Sequence, residues 1–136
     1  MTFRRLLTVR MMRYLIDTHV FIWWMQDEGD LTKEASSAIR DIQNEVWLSV
    51  VVPWEIMIKK MKGKLSIPDN ITEIITLENF NLLPIQMNHV NRLNELPNFH
   101  SDPFDRIMIA QAIEENLILI TRDKGILQYP IPTLLA

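Results

Sequence analysis

Short apolar runs alternate with amphipathic stretches along this chain, and this alternation constrains the fold more than any other feature. The runs at 13–17 (RYLID), 46–49 (VWLS) and 117–120 (LILI) have the length of β-strands, and weaker candidates lie at 81–85 and 131–134. A strand that is apolar along most of its length is usually buried on both faces, as in a parallel sheet covered by helices. The pattern therefore predicts an α/β fold, a three-layer sandwich around a parallel sheet.

The stretches between these runs carry the apolar spacing and the end signals of helices. Thr32 is a candidate N-cap, and the helix after it would turn four side chains inward: Ala35, Ala38, Ile39 and Ile42. Pro53 suits the first turn of another helix, because the N–H groups of that turn lack helical partners. The predicted helices span residues 20–25, 33–43, 53–63, 71–79, 87–95 and 104–116.

The length of 136 residues suits one domain with a substantial core. We assign residues 13–136 to that domain and residues 1–12 to an N-terminal extension. Residues 1–13 hold four arginines and no acid, a composition faintly like that of a transit peptide. The favoured interpretation is that translation starts at Met11 or Met12 and that the extension reflects a mis-assigned start.

Composition narrows the classes of function. The chain has no cysteine, which excludes disulfides and thiolate metal sites and favours a reducing, cytoplasmic compartment. No apolar run reaches the roughly 20 residues of a membrane span. The net charge is −3, and without the four arginines of residues 1–13 the 14 basic residues fall to 10 against 17 acids, or −7. Such a body does not bind nucleic acid by overall charge, but a nuclease whose acids bind metal remains open.

Four acids fall at the carboxyl ends of predicted strands or in the first turns of helices. They are Asp17, Glu55, Asp105 and Asp123. In an open parallel sheet these positions share one edge, where ligands bind. Apolar neighbours flank two of the four, Asp17 and Glu55, and carboxylates in such surroundings need a partner or a cation. An all-oxygen acidic site suits Mg²⁺ or Mn²⁺.

The stretch HSDPFDR contains two neighbouring acids, Asp102 and Asp105, to which we assign different roles. Asp102 stands before Pro103 as an N-cap does before a proline at the first helical position. We interpret Asp102 as a cap with a possible supporting role at the metal. Asp105 could serve only the helix dipole, yet its place beside the other three acids favours a metal ligand.

Four motifs in order resemble the PIN-domain ribonucleases, above all the VapC-type toxins of type II toxin–antitoxin systems. They are YLIDTHVFIWW, SVVVPWEIMIKKMKGKL, LPNFHSDPFDRIMIAQA and LILITRDKGILQY. The resemblance implies a five-stranded parallel sheet of order 3-2-1-4-5 and a metal-binding quartet at Asp17, Glu55, Asp105 and Asp123. It also implies a hydroxyl lent to the site by Thr121, a homodimer, and a small antitoxin that covers the acidic groove. Pro53 departs from the family pattern.

The resulting hypothesis is Mg²⁺- or Mn²⁺-dependent hydrolysis of RNA that leaves 5′-phosphate and 3′-hydroxyl ends. His19 and His100 border the predicted site and are candidate supporting donors, as are Thr121 and Asp102. Four cations adjoin quartet acids and are candidate phosphate contacts: Lys59, Arg106, Arg122 and Lys124. A plainer interpretation exists for Lys59, which can form an ordinary i,i+4 pair with Glu55.

Other functions fit the sequence less well. A haloacid-dehalogenase-like phosphatase needs an aspartate at position 19, which is His19 here, and a dinucleotide binder needs a glycine-rich turn that three scattered glycines cannot form. A receiver domain needs an acid pair after the first strand. A structure-specific DNA nuclease or a PIN-like module that binds RNA or protein without cutting also remains open.

Overall fold

The computed structural model describes residues 11–27 and 29–136. The extension predicted over residues 1–12 therefore lies almost wholly outside the described residues and stays a prediction. The described strands are β1 (Arg13–Ile16), β2 (Glu45–Ser49), β3 (Asn81–Leu83), β4 (Ile118–Thr121) and β5 (Thr133–Leu135). The described helices are α1 (Thr18–Met25), α2 (Lys33–Arg40), α3 (Val51–Met61), α4 (Ile71–Leu77), α5 (Met87–Arg92), α6 (Pro103–Glu115) and α7 (Lys124–Leu127), with a 3₁₀ turn at Leu93–Glu95.

The five strands form one parallel sheet in the order β3-β2-β1-β4-β5. Leu15 of the central strand pairs with Trp47 on one side and Leu119 on the other. This arrangement confirms the predicted α/β fold and the strand order that the resemblance implied. Because all five strands run in the same direction, their carboxyl ends lie along one edge of the sheet.

The central strands are buried on both faces, as their apolar sequences predict. Leu15, Ile16, Leu48, Leu119 and Ile120 are all inaccessible to solvent. Burying each of these side chains contributes roughly 1.5–3 kcal/mol to folding. The core therefore fixes the strand ends, and the residues just beyond them, in a rigid frame.

The helix ends differ from the predictions in several places. The prediction that Ile42 faces the core is wrong: α2 ends at Arg40, the backbone at Asp41 is extended, and Ile42 is 98% exposed. The side chain of Asp41 accepts a hydrogen bond from the backbone N–H of Gln43, which stabilises a turn instead of further helix. The predicted strand 81–85 ends at Leu83. The single-turn helix α7 was not predicted at all.

The predicted end signals mostly act as expected. Thr32 caps α2 through a hydrogen bond from the N–H of Ala35 to its hydroxyl. Pro53 is the third residue of α3, where the missing N–H costs nothing. Asn116 ends α6 with a left-handed backbone, φ 55°. These residues lie at the starts of α2 and α3 and at the end of α6, as their sequence positions indicated.

Within residues 11–27 and 29–136, no helix combines the length and the apolar character that crossing a membrane requires.

Candidate metal centre

The four predicted acids all lie at the carboxyl edge of the sheet. Asp17 follows β1 and is the N-cap of α1, while Asp123 follows β4 and is the N-cap of α7. Glu55 is the fifth residue of α3, which begins just after β2. Asp105 is the third residue of α6. Two acids therefore come from neighbouring strands and two from the first turns of helices that pack together.

Asp17 is the most deeply buried of these acids, at 4% exposure. Its Oδ1 accepts a hydrogen bond of 2.9 Å from the N–H of Val20, and its Oδ2 accepts one of 2.5 Å from the Thr121 hydroxyl. Loss of hydration raises the pKa of Asp17, and the hydrogen bonds from Thr121 and Val20 oppose that rise. A buried carboxylate with a raised pKa gains most from a nearby cation.

Thr121 connects two of the acids. Its hydroxyl donates to Asp17 and accepts a 3.0 Å hydrogen bond from the backbone N–H of Asp123. The side chain is fully buried at the end of β4. The hydroxyl lent by Thr121, which the resemblance implied, thus lies against the acidic cluster, although what it does in a reaction remains a prediction.

Glu55 is oriented by a residue that sequence analysis missed. The hydroxyl of Thr18 donates a 2.6 Å hydrogen bond to Glu55 Oε1, and Lys59 lies 3.4 Å from Oε2 as the expected i,i+4 pair. Thr18 immediately follows Asp17, so one turn of α1 holds one acid and orients a second. The only sequence signal for Thr18 is this adjacency.

His100 lies between the other two acids. Its Nε2 is 2.9 Å from Asp105 Oδ2 and 3.2 Å from Asp123 Oδ1, but at angles that complete a hydrogen bond with neither. Its Nδ1 accepts a hydrogen bond from the N–H of Asp102, which places the proton of the neutral ring on Nε2. Sequence analysis named His100 as a candidate supporting donor at the edge of the site, but its spacing could not show which acids it meets.

Gly125 makes room for the imidazole of His100. A Cβ added to Gly125 would lie 2.6 Å from Cδ2 of the ring. Any larger residue would therefore displace the ring or the first turn of α7. This glycine is required by close approach, and its backbone shows no need for a left-handed conformation.

The charges of the cluster act on Asp105. Its pKa is raised to about 8, first by desolvation and then by the charges of four other acids: Asp102, Asp123, Asp17 and Glu55. The three acids that sequence analysis grouped with Asp105, namely Asp17, Glu55 and Asp123, thus all contribute to its raised pKa. Carboxylates this close repel unless protons or a cation neutralise them.

The donor set fits a hard divalent cation. Ligand atoms of His100, Asp105 and Asp123 lie within 4.8 Å of one another. Asp17 and Glu55 supply further carboxylate oxygens at the same edge. Oxygen-rich sets of this kind suit Mg²⁺ and Mn²⁺ more than Zn²⁺. The Nε2 of His100 completes no hydrogen bond to Asp105 or Asp123, so the imidazole offsets their mutual repulsion only in part.

Asp102 has the cap geometry expected of it. Its Oδ1 accepts a 3.0 Å hydrogen bond from the N–H of Asp105, and Pro103 follows at the first helical position. Its charge still contributes to the raised pKa of Asp105. A supporting role at the metal is compatible with this position and remains a prediction.

The candidate phosphate contacts fall into two groups. Arg106 donates to the carbonyls of Pro97, His100 and Leu93 and to the Tyr129 hydroxyl, so its guanidinium holds the loop before α6. Arg122 is likewise engaged, with the main-chain oxygens of Ala136 and Asp30. Lys124 is exposed in the first turn of α7, and Lys59 keeps its ammonium beside Glu55. The two lysines are therefore better placed than the arginines to meet a phosphate.

Comparison with known protein families decides the classification. A sequence profile of the PIN domain matches residues 14–132, nearly the whole chain. The chain belongs to the PIN-domain family. A search of curated protein sequences found no match.

Solved structures share the PIN-domain fold of this chain over 90% of its length. VapBC2 from Rickettsia felis, bound to a DNA fragment from its promoter, matches with a TM-score of 0.70 and 17% identity over 98% of that chain. VapBC-1 from nontypeable Haemophilus influenzae matches with a TM-score of 0.66 and 20% sequence identity, and the match covers 97% of the matched chain. A toxin–antitoxin complex from Klebsiella pneumoniae matches with a TM-score of 0.61 and 24% sequence identity, and the match covers 96% of the matched chain. At these identities the likeness establishes the fold.

Proposed function

We propose that this PIN domain is a metal-dependent endoribonuclease toxin of the VapC type, which acts in the cytoplasm and is neutralised by a small antitoxin. The observation that carries the proposal is the convergence of Asp17, Glu55, Asp105 and Asp123 at one sheet edge, where the charges of the other three add to the desolvation that raises the pKa of Asp105 to about 8. A protein that only bound RNA would gain little from acids that repel phosphate. A nuclease needs them to hold a cation.

Asp17 and Asp105 are the principal ligands in this proposal, with Glu55 and Asp123 completing the set. A bound Mg²⁺ or Mn²⁺ would lower the pKa of a water molecule and offset the charge that builds on the phosphate oxygens. The protein contributes the frame: Thr121 keeps Asp17 in place, and Thr18 does the same for Glu55. Carboxylate oxygens left free of the cation would orient the attacking water.

In the proposed reaction, water attacks phosphorus and the bond from phosphorus to the 3′ oxygen breaks. The attacking water gives up a proton to a site carboxylate or to solvent, and the 3′ oxygen leaves with the bonding electron pair and takes a proton from solvent to become the 3′-hydroxyl. The products carry 5′-phosphate and 3′-hydroxyl ends, because the 2′-hydroxyl is not the nucleophile. Lys59 and Lys124 are proposed to contact the flanking phosphates.

The toxin part of the proposal rests on the three structural matches, each a toxin–antitoxin or VapBC complex. Induced expression of the chain alone should arrest growth, and the Asp17→Asn variant should not. We also propose a homodimer, which light scattering of the purified protein tests. If the protein is a monomer at micromolar concentration, the homodimer proposal is wrong, but the nuclease proposal is unaffected.

Cleavage of total cellular RNA tests the nuclease directly. Purified protein, free of antitoxin, is incubated with Mg²⁺, with Mn²⁺ or with EDTA. Asp17→Asn should abolish cleavage. Asp41→Asn is the matched control, because Asp41 is an exposed acid whose turn-stabilising contact asparagine can keep. Discrete fragments from the wild type and the control alone support the proposal. Folded protein that cuts no RNA with either metal favours the non-catalytic binding module.

A further inference from the structure

We infer that His19, Trp23 and Arg122 form a seat for one unpaired nucleobase of the RNA substrate, directly beside the acidic cluster. We call these three residues the aromatic shelf. The inference rests on the proposed function in so far as the ligand is RNA. It adds a binding site for a base where that proposal has only a site for the phosphate.

The shelf lines an open pocket of about 260 Å³ whose other lining residues are Asp17 and Asp123. His19 is exposed on α1, and its ring centroid lies 5.8 Å from that of the half-buried Trp23, with the ring planes tilted by 41°. Two acids of the candidate metal centre thus share a pocket with two aromatic rings. A nucleotide whose phosphate met a cation held by those acids would carry its base over the rings.

Arg122 makes the shelf rigid. Its guanidinium carbon lies 4.4 Å from the centroid of the Trp23 ring, and its Nε donates a 2.8 Å hydrogen bond to the main-chain oxygen of Ala136. A further hydrogen bond joins it to the carbonyl of Asp30. The indole is therefore covered and held on one side, which leaves the imidazole of His19 and the pocket side of the indole for a ligand. A rigid aromatic surface loses little entropy on binding.

The chemistry of the pocket selects a base over a phosphate or a peptide acid. Asp17 and Asp123 disfavour an anionic group in the pocket itself, whereas a nucleobase is planar and uncharged. Stacking of a base on aromatic and guanidinium planes tolerates any sequence. A base can stack on these planes only when it is unpaired. The shelf therefore specifies single-stranded RNA next to the cleaved bond.

Binding without cleavage tests the shelf separately from the nuclease. The protein is the full chain with Asp105→Asn, which blocks the proposed hydrolysis and leaves the pocket lining intact. The probes are fluorescein-labelled hexaadenylate, hexacytidylate and hexauridylate, together with an abasic hexamer that has the same backbone charge. Fluorescence anisotropy in Mg²⁺ gives the dissociation constant of each. Thermal melting checks that every variant is folded.

The shelf predicts that at least one base-bearing hexamer binds about tenfold more tightly than the abasic hexamer, as expected for the loss of one stacked base. Adding His19→Ala should remove most of that difference, while His19→Phe should keep it. Gln26→Ala, an exposed change at the far end of the same helix, should leave it unchanged.

Equal binding of base-bearing and abasic hexamers would overturn the shelf, as would an equal loss for both on adding His19→Ala, or no measurable binding of any hexamer. These results leave the nuclease proposal untouched, because RNA cleavage by the wild-type chain is scored independently. Conversely, base-dependent binding by a chain that cuts no RNA would support the shelf and overturn the nuclease.

Discussion

The hydroxyl of Thr121 donates a 2.5 Å hydrogen bond to the buried carboxylate of Asp17, from the end of one strand to the end of its neighbour. The same oxygen accepts the backbone N–H of Asp123. One side chain thereby fixes the relative positions of two acids that belong to the candidate metal centre. The precision of the site depends on the pairing of β1 with β4.

Replacing Thr121 by valine should weaken metal binding by about tenfold or more, the usual effect of losing a residue that orients a ligand. Valine keeps the volume but leaves Asp17 Oδ2 without its donor. Thr121→Ser keeps the hydroxyl and should stay close to the wild type. The concentration of Mg²⁺ or Mn²⁺ that gives half the thermal stabilisation measures the effect. Equal metal affinities in the valine and serine variants would contradict this role.

The metal-free protein should lose stability as the pH rises from about 4 to about 8. The pKa of Asp105 is 3.8 ordinarily and about 8 in the folded chain, so the folded state holds the proton more tightly. The stabilisation that protonated Asp105 contributes to folding is therefore largest at low pH and is lost as the pH rises through 8. The raised pKa of Asp17 acts in the same direction.

Melting temperatures in EDTA between pH 5 and pH 8.5 measure this effect. Asp105→Asn cannot ionise, so it should flatten the curve and raise the melting temperature at pH 8 by roughly 5 °C relative to the wild type. Saturating Mg²⁺ should also flatten the wild-type curve. If the wild-type protein became more stable between pH 5 and pH 8 in EDTA, the pKa of Asp105 would not be raised.

His100 should stabilise the metal-free cluster. Its Nε2 lies between Asp105 and Asp123, where it partly offsets their repulsion. His100→Ala should therefore lower the melting temperature in EDTA and enlarge the increase that Mg²⁺ produces. Gly125→Ala should act in the same way, because its methyl group would displace the ring.

The double variant His100→Ala with Gly125→Ala separates this effect from general damage. If both changes act through the same ring, their effects on the melting temperature should not add. Fully additive losses would show that Gly125 acts elsewhere. A smaller Mg²⁺ response in His100→Ala would mean that the imidazole is itself a ligand.

Arg106 and Lys124 should differ in what they affect, although sequence analysis grouped them. Arg106 donates to the carbonyls of Pro97 and Leu93 and to Tyr129. Arg106→Ala should therefore destabilise the protein by about 1 kcal/mol or more, since several partly buried acceptors lose their donor. Lys124→Ala should leave the melting temperature unchanged and reduce the salt dependence of RNA binding. Melting curves and anisotropy at several salt concentrations test both; the reverse pattern would contradict the assignment.

The parallel sheet and the location of the acids were predictable from the sequence for one reason. Continuous apolar strands such as 117–120 must be central, and the residue after a central strand lies at the carboxyl edge whatever the details of the helices. Asp17 and Asp123 followed directly from that rule. The caps formed by Thr32 and Asp102 were also readable, because they depend on residues within one helical turn.

Features that depend on distant segments were not predictable in this way. His100 meets Asp123 only because the loop before α6 folds against α7, and the space for its ring comes from Gly125. Ile42 was missed for a local reason: it has the right spacing for α2, but the turn that the side chain of Asp41 stabilises ends the helix two residues earlier. Apolar spacing alone does not show whether a helix continues or such a turn ends it.

The chemistry of the RNA ends tests the central claim most directly. Total RNA is treated with the purified chain in Mg²⁺, and the fragments are mapped by methods that distinguish 5′-phosphate from 5′-hydroxyl ends. The account predicts fragments with 5′-phosphate and 3′-hydroxyl ends, which need the metal and are absent with Asp17→Asn but present with Asp41→Asn. Cleavage that persists in EDTA, or leaves 2′,3′-cyclic phosphates, would contradict metal-dependent hydrolysis by the four acids.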